Sequence, residues 1–167
     1  MILQRICQTL ETYLKWVLAA LLVLMVVDVT WQVLTRFILA NPSSFTEELA
    51  RYLLVWIGLL GASYAYRTHA HLGIDILVKK FHGASRTTVS AVAIVFTLSF
   101  ALLVMVKGGA SLMALTFQLQ QTSAALNIPM GFVYSVIPLS GILIALFAIE
   151  QLWQLKLGHH PIQQTNQ

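Results

Sequence analysis

The sequence predicts an all-α integral membrane protein with four transmembrane helices, both termini cytoplasmic, and short amphipathic interfacial helices beside the spans. Three observations carry this reading. Of 167 residues, 58% are hydrophobic and only 10% are charged, where a soluble domain averages about 25% charged. Apolar runs long enough to cross a bilayer recur near 16–37, 45–66, 87–106 and 129–153. Cations collect at the ends of those runs. With the N-terminus inside, Arg5, Lys15, Arg67, Lys79, Lys80, Arg86 and Lys156 are cytoplasmic and only Arg36, Arg51 and Lys107 are external, which satisfies the positive-inside rule. The ten Lys and Arg residues exceed the six Asp and Glu, but they are dispersed, so the basic balance describes membrane loops and not a nucleic-acid surface. Residues 1–156 read as a single four-helix membrane domain and 157–167 as a polar cytoplasmic tail.

Residues 1–15 mix polar and apolar side chains and include Arg5, Glu11 and Lys15, which suits a short helix lying in the interface. No small-residue cleavage site follows the first apolar run, so that run is a retained span. Within it Asp28, Gln32 and Arg36 recur every four residues and make a polar stripe on one helical face. An ionisable residue at depth costs roughly 2.5–3.5 kcal/mol on insertion scales, so Asp28 should face protein or water. Asn41 to Ser44 form a tight turn, making spans one and two an antiparallel hairpin.

Ser44 followed by Glu47 is a capping box, which starts the second helix near Phe45. From Leu53 to Ala65 that helix is almost wholly apolar, with Gly58, Gly61, Ala62 and Ala65 at spacings that admit another helix. The connection from Arg67 to Arg86 is basic and holds His69, His71 and His82; Asp75 to Phe81 reads as a short amphipathic interfacial helix capped by Asp75. The third span is apolar all round, and Lys107, Gly108 and Gly109 mark its interface, with helical spacing continuing to Leu119. Pro129 opens the fourth span, where its missing donor costs nothing. Pro138 predicts a kink, because it cannot donate to the carbonyl of Tyr134.

No catalytic, substrate-binding or metal constellation emerges from these residues. The histidines lie in the loop and the tail, whereas haem ligation needs them on facing helices at depth. Glu47 and Glu48 most simply favour the helix N-terminus and pair with Arg51, with docking to a partner as the second reading. Asp28 either bonds a neighbouring helix or relays ions, and the residues leave both open. Cys7 is the single cysteine, so an internal disulfide is excluded.

The order of these features resembles the small membrane subunit of TRAP transporters, the tripartite ATP-independent periplasmic uptake systems. The resemblance rests on Arg36, then Glu47, Glu48, Leu49, Ala50 and Arg51, then Trp56, Gly61 and Ala62, then Arg67, His71 and Asp75, then Leu126 to Pro129 with Tyr134 and Pro138. It implies a non-catalytic subunit of the bacterial inner membrane, without a cofactor of its own. Its expected partners are membrane lipids, a large multi-span subunit that binds sodium ions and an organic acid, and a periplasmic substrate-binding protein. The small subunit would enlarge the scaffold for an elevator-like transport domain and help dock the binding protein. The carried acid would be a C4-dicarboxylate, sialic acid, or a related sugar or keto acid. Asp28, Gln32, Arg36, Glu47, Glu48, Arg51, Trp56, Gly58, Gly61, Ala62, Arg67, His71 and Asp75 are the candidate interface or structural positions. The rival readings are a membrane anchor of a respiratory complex and a self-sufficient exporter that uses Asp28.

Overall fold

The computed structural model describes residues 2–38, 44–68 and 84–156. Those residues form α1 (Ile2–Phe37), α2 (Ser44–Arg67), α3 (Ala84–Phe100), a π-helical segment (Ala101–Gly108), α4 (Gly109–Gln118), α5 (Met130–Tyr134) and α6 (Val136–Lys156). Four helical stretches are long and apolar enough to cross a membrane: Leu3–Phe37, Ser44–Arg67, Thr87–Gln118 and Met130–Leu155. The expected interfacial helix at 1–15 and the first span are one uninterrupted rod, about 54 Å long at 1.5 Å per residue. The interfacial helix expected at Asp75 to Phe81, and His69, His71, His82, His159 and His160, lie outside the described residues.

The seam explains why α1 stays continuous. Every side chain of α1 that is buried or half-buried falls at Leu3, Cys7, Leu10, Glu11, Leu14, Leu18, Leu21, Met25, Asp28, Gln32 or Thr35. Apart from Glu11, these follow one another at spacings of three or four, close to the 3.5-residue repeat of a helix that grips its neighbour along one line. That neighbour is chiefly α2, which runs antiparallel to it. The rest of α1, including Val23, Val26, Val27 and Trp31, is exposed apolar surface, as a lipid-facing flank requires.

Helix α6 is the centre of the bundle. It touches α1 and α2 on one side and α3 with the π-helical segment on the other, and among the described residues α1 and α2 do not touch α3. Small side chains along α6 allow these approaches. The buried Ser63 hydroxyl donates to the carbonyl oxygens of Leu59 (3.1 Å) and Ser140 (3.2 Å), which joins α2 to α6. A Cβ on Gly141 would lie 2.7 Å from Met105 Cβ and 3.1 Å from the Val106 backbone nitrogen; one on Gly109 would lie 2.9 Å from Pro138 Cδ. Gly131 is closed off by the Phe117 ring, which meets Phe132 edge-on at 5.3 Å.

The kink expected at Pro138 appears as an interruption at Ser135, three residues earlier. Pro138 therefore falls in the first turn of α6, where backbone donors have no helical partner to lose. The Ser135 hydroxyl donates to Phe132 O at 2.7 Å and stabilises the corner. The fourth span thus starts as α5, with Pro129 as its N-cap residue. The third helix continues past Lys107 to Gln118, as the spacing up to Leu119 predicts.

Candidate functional site

Polar side chains gather at the two ends of this bundle. At one end the first turns of α1 and the last turns of α2 and α6 converge on Arg67. Its guanidinium donates to Glu150 Oε2 at 2.6 Å and to Glu11 Oε2 at 3.0 Å, and its carbon lies 5.7 Å from the centroid of the buried Phe147 ring. The Glu150 side chain is 2% exposed, that of Arg67 12% and that of Glu11 35%. Gln154 Nε2 donates to Glu150 Oε1 at 2.9 Å, and the fully buried Cys7 sits against the same carboxylate. A carboxylate removed from water is tolerable only when it is paired and its remaining lone pairs are satisfied. Here one guanidinium and one amide do that, and in doing so join three helices.

At the other end Glu48, near the start of α2, holds the connection between α4 and α5. Its Oε1 accepts from the Tyr52 hydroxyl at 2.6 Å, and its Oε2 accepts from the backbone N–H groups of Ala125 (2.7 Å) and Leu126 (3.2 Å). The Ala125 amide would otherwise be orphaned in a tight turn, while the Leu126 amide also donates to Ser123 Oγ at 3.2 Å. The turn itself uses left-handed backbone at Gln120 (φ 48°) and Asn127 (φ 52°), a conformation that Asn tolerates better than most residues. It is closed by Ser123 N–H to Ile128 O at 2.9 Å and Met130 N–H to Gln121 O at 2.8 Å. Beside it opens a cleft of about 500 Å³ lined by Glu48, Arg51, Tyr52, Ser123, Met130 and Tyr134 among others.

The remaining candidate residues are distributed as follows. Glu47 and Arg51 form an i,i+4 pair at 3.5 Å with both side chains about two-thirds exposed. A pair so placed stabilises by at most a few tenths of a kcal/mol. Glu48 is not part of it. Burial falls off along the stripe Asp28, Gln32, Arg36: Asp28 is 6% exposed, Gln32 half-buried and Arg36 exposed, and the buried line continues through Thr35. Among the described residues Asp28 Oδ2 has no hydrogen-bond partner. Trp56 packs half-buried against the core. Ala62 is half-buried, but a Cβ on Gly58 or Gly61 would meet nothing within 4 Å. Among the described residues no neighbour therefore packs on Gly58 or Gly61, and the close approaches occur at Ser63, Gly109, Gly131 and Gly141 instead. His71 and Asp75 lie outside the described residues.

Sequence reasoning missed Glu11, Glu150, Tyr52 and the turn amides. Glu150 carried a usable signal, a carboxylate in an otherwise apolar run near the end of a span, matched by Arg67 at the corresponding end of another. The partners of Glu48 are backbone groups far along the chain and left no such trace. Among the described residues no group of three or more His, Cys, Asp or Glu side chains could hold a metal ion.

A membrane bundle of four spans, locked by ionic and backbone contacts at its ends, defines the class: a helical membrane subunit. The chain belongs to the DctQ component of the tripartite ATP-independent periplasmic transporters, the family that matches residues 25–157. Members of this family are transporter subunits and not enzymes. Over 131 residues it is 28% identical to the sialic acid TRAP transporter small permease protein SiaQ of Vibrio cholerae, covering 75% of this chain and 71% of that one. Over 99 residues it is 31% identical to the C4-dicarboxylate TRAP transporter small permease protein DctQ of Rhodobacter capsulatus, covering 57% and 41% respectively. A stretch of 46 residues, 28% of this chain, is 44% identical to 8% of the sialic acid TRAP transporter permease protein SiaT of Haemophilus influenzae.

Proposed function

We propose that this chain is the small permease subunit of a sodium-coupled TRAP transporter for organic acid uptake. The acid is of the class named for its relatives, sialic acid or a C4-dicarboxylate, or a related sugar or keto acid. Its task is to widen the static scaffold against which the large permease subunit moves its substrate, and to help seat the periplasmic binding protein. Sodium ions and substrate are held by the large subunit.

One observation carries the scaffold reading: the buried and half-buried polar contacts at Arg67, Glu150, Glu48, Ser63 and Ser140 join one helix or turn of this chain to another. Transporters, by contrast, converge polar groups on a substrate near the bilayer midplane. The cleft beside Glu48 opens at the end of the bundle that also carries Glu47 and Arg51. In the bacterial inner membrane with both termini cytoplasmic, that end faces the periplasm, where a loaded binding protein would meet it. The cation distribution supports this orientation.

Removal of this chain from cells that keep the large permease and the binding protein tests the reading. Accumulation of radiolabelled sialic acid or C4-dicarboxylate should fall to background. Undiminished accumulation, or solute transport by this chain alone in vesicles, would refute it.

A further inference from the structure

Lys107 stands out because of its depth. It lies between Met105, which meets Gly141, and Gly109, which meets Pro138. Those contacts fix its height on α6. At 1.5 Å per residue, the ion cluster at Glu150 lies roughly 15 Å away along the axis in one direction, and the Phe117–Gly131 contact roughly 15 Å away in the other. Lys107 is therefore near the middle of the bundle. Exposed large apolar side chains continue on both sides of it: Phe96, Phe100 and Leu103 below, and Leu112, Leu115 and Phe132 above. The hydrophobic belt thus extends beyond Lys107 in both directions.

The side chain is exposed on the outer surface of the third span, and no described carboxylate lies within ion-pair reach of it. From there to Gln118 the composition of its helical face changes. Lys107, Ser111, Ala114 and Gln118 succeed one another at spacings of four, three and four, all exposed, with Gly108 beside them. Below Lys107 the same face carries Leu103, Phe100 and Phe96. A lysine at mid-depth is poorly solvated by lipid tails, and small or polar side chains next to it let another backbone come close.

We propose that this face of the third span, from Lys107 to Gln118, is where a transmembrane segment of the large permease subunit packs, with an acidic side chain of that segment meeting the Lys107 ammonium. The inference rests on the TRAP reading above and adds to it the place and the charge of the contact. An acidic group supplies the complement that Lys107 lacks among the described residues, and a span of the permease reaches this depth, which a periplasmic protein does not. It also removes Lys107 from the cations that report orientation.

The test co-expresses this chain with the tagged large permease subunit of its transporter and measures how much chain is retained through detergent washing. Lys107→Met should reduce retention at least fivefold, Lys107→Arg should stay within twofold of wild type, and Ser111→Trp, which blocks close approach, should again reduce it at least fivefold. The thermal midpoint of each variant purified alone should match wild type, which separates lost docking from lost folding. Wild-type retention by both Lys107→Met and Ser111→Trp would overturn the inference while leaving the TRAP assignment intact. So would a Lys107→Met chain that stays on the permease but sheds bound anionic lipid, since the face would then be a lipid contact. Failure of the unmodified chain to be retained at all would instead refute the TRAP reading, and this inference with it.

Discussion

Replacing Arg67 by Met should be the most damaging single change at either polar end. The substitution keeps most of the side-chain volume over Phe147 but strips the guanidinium from Glu150, whose side chain is 2% exposed. Glu150 would keep the Gln154 amide as its donor at 2.9 Å. Breaking a buried pair from one side typically costs about 3–5 kcal/mol. Glu11, at 35% side-chain exposure, can turn to water and adds about 0–1 kcal/mol at most. Pairing the change with Glu150→Met removes the stranded carboxylate, and apolar replacement of a whole buried pair is often neutral or better. The double variant should therefore recover most of the loss. Unfolding of the purified chain by added SDS in mixed micelles, followed by the fluorescence of its four tryptophans, gives the required free energies. The reasoning fails if Arg67→Met unfolds within about 1 kcal/mol of wild type, or if the double variant is as unstable as the single one.

Two further perturbations separate the contacts that hold the chain together from those it leaves free. Glu48→Ala should strand the amide of Ala125 and leave Leu126 with Ser123 Oγ and the Tyr52 hydroxyl with Met130 Sδ as their remaining acceptors, a local loss of about 1–3 kcal/mol; hydrogen exchange at the Ala125 amide should rise tenfold or more while the SDS midpoint moves little. Gly141→Leu should cost about 1–3 kcal/mol by overpacking against Met105 and the Val106 backbone. Gly58→Ala, with open space around it, should leave the isolated chain equally stable or up to about 1 kcal/mol more stable in the same titration.

Four spans were legible because a long apolar run has few alternatives to crossing a bilayer. The start of α2 fell within one residue of its capping box, and the continuation of the third helix toward Leu119 was visible in its spacing. The ends of the spans were harder to place. Lys107 follows some twenty apolar residues, so it read as a boundary; only the packing of Gly109 on Pro138 and Gly141 on Met105 sets its depth. Glycine spacing on α2 suggested close packing, yet spacing alone cannot say which side of a helix its neighbours occupy. Ser63, two residues after Gly61 but on a different face, reaches the α6 backbone. The division of labour between Glu47 and Glu48 was likewise invisible, since adjacent residues on a helix point about 100° apart and only tertiary structure shows where each leads.

The π-helical turn from Ala101 to Gly108 reconciles two rhythms. Along the third span the inward positions are 94, 98, 101, 105, 109, 113 and 116, and the consecutive steps of four from 101 to 113 would make an ordinary helix drift off its contact line. Widening the coil locally absorbs the surplus, so the stretches before and after it both keep a groove on α6. The turn works as a phase corrector between the two halves of the third span.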